Sequence, residues 1–420
     1  MHTQPVYVWL FLLGVASNVL SGHSHRLFLP ISPDRVLIPL AIVLLLRDPT
    51  RPRLRPGLVH ALMVAFVLWT VVSMIWHGNL LESVHLYALL DRTVLPFLMF
   101  VLAPLIFTDV ARRDLLLKML TVLGLYLAVT AVLEIVAPQL VFPRYIMDEE
   151  VGLHFGRARG PFAGAEAMAM ALAVTAGAAG LLATRRLRRW TSLGALVMLL
   201  SLFGVVLTTT RSVWVGLAVA LVVLLVLVPT LRSWIPAMAG AGMLGLGAVA
   251  LLMPSLVEDI TERSASAGPI YDRLSSNAAA LRLLGEMPLT GIGWRRFYPD
   301  GAEWARQSDS FPMNNATIEV HNVILSRGAE LGIPAMLVFV AIIVLGPVRW
   351  ALARLPVDAA PDLRGWSVLS AVIVTVWLVA GSFGPMSNPF PNYAVWLIAG
   401  IPAWRYAVPH LPCASSGEVR

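Results

Sequence analysis

The sequence predicts an all-α integral membrane protein with about twelve transmembrane helices and one long non-membrane segment between the ninth and tenth helices. Hydrophobic residues make up 58% of the 420-residue chain, charged residues only 13%, and the mean hydropathy is +0.77. A soluble domain carries about 25% charged residues. Runs such as LVHALMVAFVLWTVVSMIW at 58–76 have the length of roughly 20 apolar residues that crosses a bilayer as a helix. The third indication is the distribution of arginine in the connections between these runs, because it predicts how the helices are oriented in the membrane.

The predicted helices follow one another in apolar runs of similar length. Their ranges are 5–21, 28–46, 58–76, 84–107, 115–137, 161–183, 191–208, 212–229, 235–254, 321–346, 367–384 and 391–407. The start MHTQPVYVW lacks the basic residues of a cleavable signal peptide, so the first run is expected to remain as a helix. The only cysteine, Cys413, lies in the polar tail, which excludes an intrachain disulfide.

Arginine-rich connections follow every second predicted helix, at 47–57, 108–114, 184–190, 230–234 and 348–366. Short cytoplasmic loops are enriched in basic residues, so this side and both termini are predicted to be cytoplasmic. The predicted divisions are helices one to nine at 1–254, an outward loop with a short surface helix (277–286) at 255–320, the last three helices at 321–407, and a cytoplasmic tail at 408–420.

Arginines recur on the predicted outward side, where the charge bias should deplete them. They are Arg144, Arg157, Arg159, Arg211, Arg263, Arg273, Arg282, Arg295, Arg296 and Arg306. The planar, always charged guanidinium matches phosphate oxygens, so these residues suit a lipid-linked pyrophosphate. Arg211 is the strongest candidate, because it lies in a short turn between two apolar helices. The alternative roles are snorkelling and counter-charge for nearby acidic residues.

His321 and Asn322 begin the tenth predicted helix at the same interface. An imidazole can take a proton from a hydroxyl group near neutral pH. A helix-capping or interfacial histidine is the alternative. Asn322 can hydrogen-bond a sugar or satisfy the backbone at the helix start.

Arg327 and Glu330 are charged residues within the same apolar helix. Each charge at the centre of a membrane helix costs about 2.5–3.5 kcal/mol on insertion scales. Residues three apart are neighbours on a helix, so we expect the two to pair and to be mainly structural. Glu330 is nine residues beyond His321 and therefore on the opposite face.

Four motifs resemble the O-antigen ligase and polymerase superfamily of bacterial envelope proteins. RARGPFAGAEAMAMALA (157–173) is similar to its Arg-x-x-Gly-x-Phe helix entry, and TTTRSVWVG (208–216) to its Ser/Thr-rich arginine turn. YDRLSSNAAALRLLGEMPLTGIGWRRF (271–297) resembles its arginine followed by Pro-x-x-Gly-x-Gly, and VHNVILSRGAELGIP (320–334) its His-Asn and Glu-x-Gly helix opening. Asn277 departs from the pattern, since the family often has an aromatic residue there.

The resemblance implies a glycosyltransferase of the bacterial inner membrane whose active site faces the periplasm. An O-antigen ligase would transfer glycan from undecaprenyl pyrophosphate to a sugar hydroxyl of lipid A–core, with inversion and without a metal or other cofactor. Arg211 and Arg273 would bind the pyrophosphate and His321 would deprotonate or orient the acceptor. The expected substrate-binding residues are Arg157, Arg159, Arg282, Trp294 and Asn322.

Three other functions are alternatives to the ligase. A polymerase shares the donor, the topology and the motifs, with another repeat unit as acceptor. A protein-glycosylating oligosaccharyltransferase often has a larger C-terminal periplasmic region. A transporter of lipid-linked sugars commonly shows inverted repeats, and no half-to-half symmetry is evident here. The sequence has no phosphate-binding Gly-Lys loop and no Cys/His metal motif, and its +7 charge lies largely in the cytoplasmic loops, so nucleic acid is not an expected partner.

Overall fold

The computed structural model describes residues 4–153, 155–185, 188–252, 254, 258, 261, 267–305, 319–353 and 361–408. These residues are mostly helical, and the prediction of an all-α protein is confirmed. Two short strands, β1 (Arg53–Leu54) and β2 (Ala407–Val408), pair antiparallel and join an early loop to the end of the described chain. Of the outward arginines, Arg263 and Arg306 lie outside the described residues, as does the tail beyond Val408.

The helices before the long segment are α1 (Val6–Ser17), α2 (Asp34–Arg47), α3 (Leu58–Trp76), α4 (Ser83–Ile106), α5 (Val110–Val136), α6 (Ala165–Ala183), α7 (Arg188–Leu207), α8 (Arg211–Leu227) and α9 (Ile235–Leu252). The later helices are α10 (Gly268–Glu286), α11 (Phe297–Asp300), α12 (Val323–Ala351), α13 (Pro361–Gly381) and α14 (Pro389–Gly400). Helices α4 and α12 each contain a π-helical stretch, at Leu90–Val94 and Val344–Val348. The 3₁₀ turns are Asn18–Leu27, Pro138–Leu140, Arg144–Met147, Gly160–Phe162, Pro229–Trp234, Gly301–Trp304 and Trp404–Tyr406.

Each of the twelve predicted helices has a counterpart in this set. Eight candidate spans are long and apolar enough to cross a membrane within the described chain: α1 with the 3₁₀ turn that follows it, α3, α4, α5, α6, α7, α12 and α13. A polytopic membrane protein is therefore confirmed. The counterparts α2, α8, α9 and α14 are not among these eight, so the count of twelve spans remains a prediction.

Several predicted boundaries are wrong, for local reasons. Helix α2 begins at Asp34 instead of 28, because Phe28 has a positive φ of 59° and Pro33 restricts the backbone before it. Helix α5 begins at Val110 instead of 115, because the Asp109 carboxylate accepts the Arg112 N–H at 2.9 Å and caps the charged first turn. Helix α14 ends at Gly400, well before the predicted 407.

Helix α6 lies at the centre of the bundle and contacts α5, α7, α13 and α14. Its sequence is rich in alanine, and small residues let neighbouring backbones approach closely. A Cβ at Gly194 of α7 would lie 2.6 Å from the Ala179 carbonyl oxygen of α6. Helix α14 is buried at every position from Phe390 to Gly400, so it packs as a core helix among the others.

The loop between α10 and α11 docks on a break in α12. Gly332 has a φ of 85°, and a Cβ there would collide with the Leu289 carbonyl, so the site requires glycine. At the break, the N–H groups of Ile292 and Gly293 donate to the carbonyls of Ala329 and Glu330 at 2.9 Å each. These bonds fix the loop after α10 against α12.

Helix α10 begins at Gly268, nine residues before the predicted surface helix. It packs on α12 through the buried side chains of Ala279, Ala280 and Leu283. The residues from 268 onward join it because its sequence has no helix breaker after Pro269, which occupies a first-turn position where proline is tolerated. The added turns carry Arg273 and bring it beside the start of α12.

Candidate functional site

The turn between α7 and α8 is fixed by Arg157. Its Nε donates to the Thr208 carbonyl at 2.9 Å, and its Nη2 to the Thr209 carbonyl at 2.9 Å and Thr210 Oγ1 at 3.2 Å. Thr209 has a positive φ of 49°, a conformation that needs such support in a non-glycine residue. Arg157 thus holds the turn that presents Arg211.

Arg211 and Arg273 form a pair of like charges. The Arg211 side chain is half-buried and, within the described chain, has no hydrogen-bond or ion-pair partner. Burial lowers the pKa of the Arg273 guanidinium, Glu166 raises it, and Arg211 lowers it again. Two guanidinium groups that repel each other create a site that an anion would stabilise.

His321 lies immediately before α12, within electrostatic range of Arg273. Burial lowers the pKa of its imidazole and Arg273 lowers it further, against smaller opposing effects of a hydrogen bond with the Glu319 backbone and of the Asp272 and Glu319 charges. The imidazole is therefore neutral at pH 7, the form that can accept a proton. Arg273 is thus within electrostatic range of both Arg211 and His321. The roles of these three residues in binding pyrophosphate and acceptor remain predictions.

Asn322 caps α12. Its Oδ1 accepts the backbone N–H groups of Ile324 and Leu325 at 3.0 Å each. These bonds favour the helix-start role over sugar binding.

Arg159 is 1% exposed and is held in a cage of backbone carbonyls. Its guanidinium donates to Ile146 at 2.7 Å, Val151 at 2.5 Å and Asp148 at 2.5 Å. The Glu134 carboxylate accepts the backbone N–H groups of Arg159 and Gly160 at 3.0 and 2.8 Å. These contacts fold the loop before α6, and the structure does not bring Arg159 to the Arg211–Arg273 pair.

Replacing Arg159 by Gln should lower stability more than catalysis. Several buried carbonyls would lose donors, each at a cost of about 1–3 kcal/mol. We expect a lower Tm for the purified protein in detergent and near-normal transfer per folded molecule. The exposed Arg144→Gln is the matched control. An unchanged Tm with a raised KM for the lipid-linked donor would assign Arg159 to substrate binding instead.

Arg282 and Trp294 have contacts within the protein. Arg282 Nε donates to the Trp304 carbonyl at 2.7 Å, and Trp304 Nε1 to Glu286 Oε2 at 2.9 Å, which ties α10 to the turn Gly301–Trp304. Trp294 is fully buried, and its Nε1 donates to the His85 carbonyl at 3.2 Å. Both side chains stabilise the packing of the segment between α9 and α12.

The expected pair of Arg327 and Glu330 is confirmed. Arg327 Nη1 lies 3.5 Å from Glu330 Oε2, and both side chains are buried. The Arg327 guanidinium also lies 4.8 Å from the centre of the Trp294 ring. The ion pair and the cation–π contact offset the cost of burying these charges.

Sequence reasoning missed an anionic centre next to His321. The Glu319 carboxylate accepts from Arg92 at 2.9 and 3.2 Å and from Ser387 Oγ at 2.6 Å, and Arg295 lies 3.5 Å away. Burial raises the pKa of Glu319, but Arg92, Ser387 and Arg295 outweigh it and lower that pKa to about 2. The sequence feature that could have indicated this centre was Arg92, a charged residue inside an apolar run. In the structure Arg92 lies in a π-helical stretch.

A family model described as O-antigen ligase matches residues 196–340, about a third of the chain. The matched stretch includes Arg211, Arg273 and His321. No curated protein matches the chain. The family comprises glycosyl-transferring enzymes in general, which agrees with the membrane helices of this protein. Through residues 196–340, then, the chain carries a domain of the O-antigen ligase family, which supports its place in the O-antigen ligase/polymerase superfamily.

Proposed function

We propose that this protein is an O-antigen ligase. It transfers O-antigen glycan from undecaprenyl pyrophosphate to a sugar hydroxyl of lipid A–core at the periplasmic face of the inner membrane. The observation that supports the proposal is that Arg273 lies within electrostatic range of both Arg211 and His321, and that all three are in the stretch that matches the family model.

Arg211 and Arg273 would bind the diphosphate of the donor. The absence of an ion-pair partner for Arg211 in the described chain leaves its donors available to phosphate oxygens. As the bond between the anomeric carbon and the phosphate oxygen breaks, negative charge grows on the leaving diphosphate, and the two guanidinium groups stabilise it. In this mechanism the arginines neutralise the leaving group, and the reaction is expected to need neither a metal nor another cofactor.

His321 would act on the acceptor. Its neutral imidazole takes the proton of the attacking sugar hydroxyl, whose oxygen forms the new bond to the anomeric carbon. Attack opposite the leaving diphosphate inverts the anomeric configuration. Glu319, already bound by Arg92 and Arg295, contributes its backbone to the orientation of the ring.

The proposal includes an orientation with twelve spans, both termini in the cytoplasm and the Arg211 turn facing the periplasm. It is supported by the arginine-rich connections at 47–57 and 108–114. Alkaline phosphatase fused after residue 143 should be active and after residue 51 inactive. The reverse pattern would contradict the orientation.

Lipopolysaccharide electrophoresis of a strain that lacks the gene tests the reaction. We expect bare lipid A–core, with long glycan accumulating on undecaprenyl pyrophosphate. Core that carries a single repeat unit would identify a polymerase instead. An unchanged ladder would overturn the ligase proposal. A transporter would move the donor across vesicles of purified protein without consuming it.

A further inference from the structure

A small pocket opens where the first turns of α6 and α14 meet. Its volume is about 20 Å³, enough for one water-sized group. The residues that line it are Glu166, Ala167, Met170, Met386, Ser387, Asn388 and Pro391. The mechanism proposed above assigns no role to any of these side chains as substrate ligands.

Glu166 is the charged group of this pocket. Its Oε1 is buried and has no hydrogen-bond partner within the described chain. A Cβ at Gly384 would collide with this atom, so the glycine makes room for the carboxylate. A buried polar atom without a partner is rare in folded proteins unless a ligand or water supplies the partner. The carboxylate lies within electrostatic range of Arg273, which connects the pocket to the proposed diphosphate site.

The polar groups of the pocket select a neutral ligand. None of the lining residues is a lysine or arginine that could pair with a phosphate, and the Glu166 carboxyl oxygens require a hydrogen-bond donor. A metal cation is not expected, because Glu166 is the single carboxylate among the lining residues and a metal site needs several such ligands. A hydroxyl group fits, because the Glu166 carboxyl group accepts a hydrogen bond from it and the Asn388 amide donates or accepts one. Ser387 Oγ, which donates to Glu319 at 2.6 Å, can still accept.

We propose that Glu166, Ser387 and Asn388 form a binding site for a hydroxyl group of a substrate sugar, beside the diphosphate site. The inference rests on the proposed function, because a sugar reaches this pocket only if the glycan donor or the acceptor occupies the site at Arg273. The hydroxyl belongs either to the donor glycan or to the lipid A–core acceptor, and kinetics distinguish the two.

Initial transfer rates of the purified protein in lipid nanodiscs test this site. The substrates are lipid-linked glycan and lipid A–core, both extracted from a strain that lacks the gene, and each is varied with the other saturating. We expect Glu166→Ala to raise one KM about 10-fold, the effect of losing one charged hydrogen bond, with kcat little changed. Glu166→Gln should raise it less, because the amide still accepts. The KM that rises identifies the source of the hydroxyl.

Controls separate this inference from simpler roles. The exposed Glu303→Ala should leave both KM values unchanged. If Glu166→Ala does not fold, Asn388→Ala decides, and it should raise the same KM as Glu166→Gln. A fall in kcat with both KM values unchanged would mean that Glu166 acts only through Arg273, and would overturn the proposal. Normal kinetics in every variant would overturn it too, while leaving the ligase function intact. A wild-type protein that transfers no glycan would remove the ligase function itself.

Discussion

Replacing Arg211 by Ala should reduce glycan transfer by about 10²–10³-fold, the usual loss when one preorganised donor to a developing negative charge is removed. The residue is half-buried at the start of α8, and its turn is held by Arg157, so the guanidinium is positioned without a protein counter-ion in the described chain. The loss should fall on kcat/KM for the lipid-linked donor. The measurement is the transfer rate in nanodiscs at several donor concentrations.

The lysine variant sharpens this test. Arg211→Lys retains the charge but loses the planar fork that grips two phosphate oxygens, so it should recover only part of the rate. The exposed Arg144→Ala, in the 3₁₀ turn Arg144–Met147, is the matched control and should transfer normally. Normal transfer by folded Arg211→Ala would remove the basis of the diphosphate site.

Replacing His321 by Ala should reduce kcat by about 10²–10⁴-fold, the range attributed to general acid–base catalysis. The folded protein should keep its Tm, because α12 is capped by Asn322 and not by the imidazole. His321→Gln can still hydrogen-bond the acceptor but cannot take its proton at neutral pH. An active Gln variant would therefore make His321 a positioning group and not a base.

The pH dependence of kcat provides an independent test of His321 as the base. The base is the neutral imidazole, and burial together with Arg273 lowers its pKa below the ordinary 6.5. The rate should therefore fall on the acid side as the pH drops through a pKa that lies below 6.5. Arg273→Gln removes one cause of the lowered pKa of His321, so the acid limb of its residual activity should lie at a higher pH. An acid limb that is absent in the wild type, or unmoved by Arg273→Gln, would contradict the assignment.

Much of the architecture could be predicted because it depends on local composition. Each of the twelve apolar runs has a helix as its counterpart, and eight of the candidate spans in the described chain are long and apolar enough to cross a membrane. The charge pair of Arg327 and Glu330 followed from helical spacing alone. The errors were at helix ends. At these ends a single capping residue such as Asp109, or a proline such as Pro33, moves the helix boundary by several residues. The pattern of apolar residues does not predict such shifts.

The residues of the candidate site could likewise be predicted only in part from the sequence. The sequence by itself determined a membrane protein with the Arg211 turn, Arg273 and the His321 helix start in the order of the superfamily motifs. It placed Arg159 among the substrate-binding residues, because Arg159 also lies in a matching motif. The tertiary structure decided that carbonyls of the preceding loop enclose Arg159, whereas α10, docked on the Gly332 break, carries Arg273 to His321. It also brought Glu166 and Ser387 to one pocket from distant parts of the chain. The physical reason is that a side chain's partners are set by packing between helices, and residues far apart in sequence leave no periodic signal of the contact they make.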